Sequence, residues 1–290
     1  MRRLEPHPHD DDLTIQAMAT NRALSSFPML SEHLTAVRRR YLDYIAHRGN
    51  PWTVGAPLEM PPPLADAMRT HYATEPRGLE FIAQLREAGS PDVCSMCGSL
   101  KAGTLDHVLP KERFPEFAVF APNLVPACDC NSLRGTRYKG SEEGSRVLHP
   151  YFDDFMRTRL VNVQLSGNLN RPLAAVRIIE HGLPKEDIDA IQFHVDAVLN
   201  RSSLLIWASE KWATLCRDPE SVLLTLPDGG VTAEDVRTAL TVRLRGADRE
   251  HKTPNNWYSM VFHGVLASEG AVVHILRCLE TAREGGAALL

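Results

Sequence analysis

No apolar run in the 290 residues approaches the roughly 20 needed to cross a bilayer. The start, Met1-Arg2-Arg3, leads into proline, histidine and three aspartates, so no secretory leader is expected and the cytoplasm is the expected compartment, with no membrane contact. There is no excess of positive charge either: 32 Lys and Arg stand against 36 Asp and Glu, a formal net charge of −4. Proteins that live by gripping nucleic acid are usually basic, so any DNA contact must come from a local patch, a metal or a partner. Gly229-Gly230 and Gly285-Gly286 lack the Lys-Ser/Thr that completes a phosphate-cradling loop, so nucleotide hydrolysis would fall to another subunit. Six cysteines are too few for a disulfide scaffold in a chain this long, and no internal repeat is visible.

What is present is an ordinary globular composition, 43% hydrophobic and 23% charged. Residues 1–28 read as a flexible segment, because Pro6-His7-Pro8-His9 and Asp10-Asp11-Asp12 offer nothing to bury. Residues 29–91 read as helical. Leu34, Val37, Tyr41 and Ile45 recur at helical spacing before Gly49-Asn50-Pro51. A second helix follows from Pro63, and a third carries Leu79, Ile82 and Leu85 up to a stop at Gly89-Ser90-Pro91.

Residues 92–182 lose that periodicity. They hold short apolar pieces and then a hairpin, Arg159–Leu165 with Ala174–Ile179 around Ser166-Gly167-Asn168. Residues 183–290 turn helical again, with Thr232 placed as an N-cap. The expected class is α+β, a mostly helical protein with a small embedded module.

The chemistry concentrates in that module. Cys94-Ser95-Met96-Cys97-Gly98 is a metal knuckle, two thiolates on a tight turn, and Cys128-Asp129-Cys130 supplies a second pair. Together they are the ligand set of a structural zinc, which in a reducing compartment is favoured over disulfides. The single residue between Cys128 and Cys130, where two is usual, makes a tighter turn. The alternative is a lapsed site held by packing alone. Asp106-His107 falls on a short strand that Pro110 brings to a close. Adjacent strand residues point to opposite faces, so both can serve one site only near the strand's end.

Taken in order, Cys94, Cys97, Asp106, His107, Asn123, Cys128, Cys130 and Asn131 resemble the HNH endonuclease family, whose core is a ββα-metal finger. The flanking helices and His149-Pro150-Tyr151-Phe152 are similar to HNH proteins of bacterial anti-phage defence operons, the Septu-like nuclease subunits. The resemblance implies a metal-dependent nuclease cutting DNA beside an ATPase partner. It implies His107 as general base, Asp106 and Asn131 as ligands of a catalytic Mg²⁺ or Mn²⁺, and Asn123 as the residue that orients the histidine. Imidazole titrates near neutrality and suits proton removal from water, and the Asp and Asn oxygens suit a hard cation.

Lys111, Arg113, Arg134, Arg137 and Lys139 lie nearby and could meet flanking phosphates or simply face solvent. His149, in a His-Pro turn, reads as packed rather than ligating. Trp207 and Trp212 read as core, and Cys216 and Cys278 as small buried hydrophobes within helices. The rival from another class is a non-catalytic zinc-containing module that binds nucleic acid or protein, which would have no use for Asp106, His107 and Asn131 together.

Overall fold

A computed structural model of the chain describes residues 1–87, 93–179 and 182–284. The Gly89-Ser90-Pro91 stop, the boundary at 91/92 and Gly285-Gly286 lie outside them. The protein is α+β, mostly helical, with two two-stranded antiparallel sheets among the described residues. It divides into two compact units, Met1–Asp154 with Gly182–Arg201, and Phe155–His181 with Ser202–Leu290.

In the first unit the residues expected to be flexible, 1–28, carry helix α1 (Asp11–Thr20). Asp10 caps it by accepting from the Leu13 N–H at 2.9 Å, and it buries Ile15, Met18 and Ala19. The apolar stripe is only one face of a short, polar-looking segment, which is why composition hid it.

Helix α2 (Met29–Ala46) buries Leu30, Val37, Tyr41 and Tyr44. Its face therefore ends on Tyr44 and not on the expected Ile45, which is 46% exposed. Helices α3 (Pro62–Thr74) and α4 (Glu80–Glu87) follow. Strand β1 (Thr104–His107) then pairs antiparallel with β2 (Leu124–Ala127), placing His107 opposite Leu124 and Asp106 opposite Val125. Helix α5 (Cys130–Arg134) follows directly, giving the order β, β, α. Helix α6 (Lys185–His194), extended by a wider π-helical turn at Val195–Leu199, completes this unit.

The long connection between β1 and β2 is held by its aromatic residues. Phe120 stacks on Tyr41 with centroids 4.0 Å apart, and Phe117 meets Tyr44 edge-on at 4.9 Å. Burying such rings stabilises the fold by about 1.5–3 kcal/mol each. The fully buried Glu116 accepts from Arg40 Nε at 3.3 Å and from the Leu58 N–H at 2.9 Å, so this connection is also fastened electrostatically.

The second unit holds the expected hairpin, β3 (Val161–Ser166) with β4 (Leu173–Ile178). It also holds helices α7 (Leu204–Arg217), α8 (Pro219–Val222), α9 (Ala233–Glu250), α10 (Trp257–Leu266) and α11 (Glu269–Glu284). Val161, Val163 and Leu165 alternate onto the buried face of β3, and α10 packs there through Gly264. A Cβ at that glycine would lie 1.8 Å from the Val163 carbonyl oxygen, so only glycine permits the approach. Thr232 opens α9 with a reciprocal capping box to Asp235. Trp212 is buried, and Trp207 packs edge-on to Tyr258, so both serve packing. Among the described residues no single helix is long and apolar enough to cross a membrane; α10 and α11 are bent by 95° at their break.

Candidate functional site

The four cysteines of the module converge. Their sulfurs all lie within 4.8 Å of one another and all four residues are buried. Cys94 and Cys130 sulfurs are 3.6 Å apart, and Cys97 and Cys128 sulfurs 3.5 Å apart. A tetrahedral zinc with Zn–S near 2.3 Å needs sulfurs roughly 3.8 Å apart, so this cluster could hold that ion with little movement.

The local backbone supports it. Gly98, at φ 81°, lets its N–H turn back to the Cys94 carbonyl at 3.0 Å and closes the knuckle. The N–H groups of Cys97 and Cys128 point at Cys94 Sγ at 3.4 and 3.3 Å, and the Cys130 N–H points at Cys128 Sγ at 3.4 Å. Such donors stabilise thiolates. The tight Cys128-Asp129-Cys130 turn is thus accommodated by starting α5 at its second cysteine. Hydrogen bonds with Cys128, Cys94 and Cys97 push the Cys130 thiol well up.

Beside this cluster lies a cleft of about 490 Å³ lined by Tyr72, Asp106, His107, Lys111, Glu112 and Asn131, among others. Asp106 and His107 reach it together because His107 is the last residue of β1. The His107 Nε2 lies 2.9 Å from the Ala118 carbonyl. A carbonyl only accepts, so Nε2 carries the proton and Nδ1 is the accepting nitrogen. The Tyr72 ring covers this imidazole edge-on at 4.4 Å. His107 is only 6% exposed, and burial pushes its pKa down to about 3, so the ring is neutral around pH 7.

Asn131 Nδ2 donates to Leu105 O and Thr104 Oγ1, both at 3.2 Å, while its Oδ1 accepts from the Ser132 N–H at 2.6 Å. Asp106 is clamped by Arg134, with Nη2–Oδ1 at 2.6 Å and Nε–Oδ2 at 3.1 Å. A carboxylate offers about four acceptor positions. Arg134 occupies two, so Asp106 can still contribute oxygen to a hard cation together with Asn131.

Two expected site residues play other parts: Arg134 lines the cleft but is spent on protein partners, and Asn123 lies behind it. Arg134 is 1% exposed and also donates to the His107 and Arg137 carbonyls at 2.8 and 2.5 Å. It bolts the end of α5 to β1 and cannot meet a phosphate in this arrangement. Asn123 is fully buried and none of its hydrogen bonds reaches the His107 ring. Its Oδ1 accepts from the Leu109 N–H at 2.8 Å, and its Nδ2 donates to the Leu109 and Phe117 carbonyls at 3.0 and 3.2 Å. It therefore braces the segment whose next carbonyl, at Ala118, receives the His107 proton.

Behind Asn123 runs a relay that the sequence did not announce. His149 Nδ1 accepts from the Tyr151 N–H at 3.2 Å, so its Nε2 donates to Tyr44 at 3.0 Å. Tyr44 in turn donates to Asn123 Oδ1 at 2.9 Å. His149 is a packed histidine, as its His-Pro turn indicated. Of the remaining basic residues, Lys111 lies in the cleft, 3.1 Å from Glu112 and over the Tyr72 ring at 5.3 Å. Arg113 and Arg137 are exposed, and the half-buried Lys139 lies over the Trp52 ring at 4.3 Å. Tyr72, Tyr44 and Glu112 carry no motif that marks them in advance; only the packing of α2 and α3 brings the two tyrosines in.

Comparison with curated proteins finds a similarity to Protein ea31 of Escherichia phage lambda, 38% identical over 66 residues. That stretch is 22% of this chain and 22% of that protein, so the likeness covers well under two thirds of either. No protein-family model matches the chain, and no solved structure matches it.

Proposed function

We propose that the chain is a metal-dependent HNH endonuclease that hydrolyses phosphodiester bonds in DNA. The observation that carries the reading is the meeting of Asp106, His107 and Asn131 in one cleft, on a β-β-α unit whose ends could be gathered by a four-cysteine zinc. In this reading Asp106 and Asn131 hold Mg²⁺ or Mn²⁺, which when bound offsets negative charge developing on the phosphate and the departing oxygen. His107 accepts a proton from the attacking water at Nδ1 while the Ala118 carbonyl holds Nε2–H. A base pushed to about 3 is ready but weak; the negative phosphate arriving beside it raises its affinity for the proton. This reading assigns flanking phosphates to Lys111 inside the cleft and to Arg113 and Arg137, each next in sequence to a lining residue, with Lys139 over the Trp52 ring the least supported of the four. With a net charge of −4 the chain has little long-range attraction for DNA, which fits delivery by a partner. We assign that role to an ATPase subunit of an anti-phage defence complex in the bacterial cytoplasm.

One observation favours the rival reading, a non-catalytic zinc module: Asp106 is buried and already neutralised by Arg134. Plasmid incubated with the purified chain and Mg²⁺ or Mn²⁺ separates the two. Nicking or linearisation that disappears in His107→Ala is expected. Intact plasmid with either metal, both for the chain alone and with its co-expressed genomic neighbour, would leave the binding module standing. Preferential loss of an RNA substrate would correct the substrate assignment.

A further inference from the structure

Cys216 and Cys278 look unrelated in the sequence, yet the second unit brings them together with His274. The two sulfurs and the imidazole nitrogen lie within 4.8 Å of one another, and all three residues are partly exposed to solvent. His274 and Cys278 are four residues apart on α11 and so share one face of the helix; Cys216 faces them from α7. The imidazole is not loose. Trp212, one turn before Cys216 on α7, stacks on it with ring centroids 5.6 Å apart and planes 24° apart. Trp212 is itself fixed by its Nε1 donating to the Leu169 carbonyl at 2.8 Å.

We propose that Cys216, His274 and Cys278 form a second zinc site, independent of the four-cysteine cluster, with three protein ligands and a fourth position open to water. Two thiolates and an imidazole are the borderline-soft donors that zinc takes, and donors in a tetrahedral site stand roughly 3.5–3.8 Å apart, within reach of side-chain adjustment here. Zn²⁺ displaces the two thiol protons to solvent as it binds. The competing fate of two facing cysteines is a disulfide, but a disulfide makes no use of an oriented imidazole. The metal would fasten the C-terminal helix α11 to α7 while remaining accessible.

The test uses the full chain purified with reducing agent and without added chelator. Alkylation at each cysteine is mapped by mass spectrometry, alongside metal content. Cys216 and Cys278 are expected to label roughly tenfold more slowly than after chelation, as bound thiolates do, with two zinc ions per chain. His274→Ala is expected to expose both cysteines and to lower the zinc content by one ion while Cys94, Cys97, Cys128 and Cys130 stay protected. Free labelling of Cys216 and Cys278 in the untreated wild-type chain, or their recovery as a disulfide, would overturn the proposal. The wild-type measurement stands even if the variant fails to fold. Neither result depends on DNA cleavage, so the second site can fail while the nuclease reading holds, and the reverse.

Discussion

Arg134 shows how one side chain can change meaning between sequence and structure. Beside Arg137 and Lys139 it looks like part of a basic patch, but its fork closes on Asp106 in a dry setting, with side chains 2% and 6% exposed. A buried pair adds little net stability, yet breaking it strands a charge. Arg134→Ala is therefore expected to destabilise the first unit by about 3–5 kcal/mol, and Arg134→Lys should recover only part because an ammonium cannot bridge both oxygens. Urea denaturation of the three proteins decides this; an alanine variant as stable as wild type would remove Arg134 from the frame of the site. Nothing in the local sequence could show this role, because pairing with Asp106 depends on α5 folding back over β1. Asn123 is similar. The resemblance marks it as the residue that orients the histidine, but its partners, the Leu109 and Phe117 backbone and Tyr44, are set by tertiary structure.

Among the elements, those with strong local chemistry were legible. The β3–β4 hairpin follows from alternation around Ser166-Gly167-Asn168, α9 from its Thr232 cap, and the cysteine knuckle from Cys94 to Gly98. Helix α1 was not, because its three buried residues are outweighed by the aspartates and histidines around them. Packing of α10 on β3 yields a paired prediction. Gly264→Ala places a methyl against the Val163 backbone, which cannot swing aside, so overpacking of roughly 1–3 kcal/mol is expected. Gly246 sits in α9 with nothing within 4 Å of an added Cβ. There alanine is expected to gain up to about 1 kcal/mol of helix propensity. Melting temperatures should move in opposite directions; a shared sign would show that α10 can lift away from β3 at little cost.

At the scale of the molecule, acidity acts through buried imidazoles. Burial depresses His107 and His194 to about 3 and His149 well below its ordinary value. In the unfolded chain these groups take up protons near pH 6.5. The stability they contribute is fully present above that value and falls as pH drops toward their folded pKa values. Asp11, raised by burial to about 7, and the raised Glu116 act with the opposite sign, gaining stability on acidification. His9, His71 and His274 are lowered by burial as well and Asp187 is raised, so six imidazoles against three carboxyls leave a net loss, about 1.4 kcal/mol per pH unit for each uncompensated proton. With zinc in excess, urea midpoints should fall steadily from pH 7 to 5. A flat or rising profile would mean that the imidazoles are more solvated than this packing implies.

The sulfur cluster also fixes an order of events. Cys94 and Cys97 precede β1, whereas Cys128 and Cys130 join β2 to α5, so one ion there would fasten both ends of the segment that carries Asp106 and His107 and the start of the helix that carries Asn131. Before such an ion binds, the four sulfurs join these stretches only through weak thiol hydrogen bonds. If the chain is the nuclease proposed, metal supply would act as a maturation step, and a chain made under zinc starvation would be expected not to cut DNA.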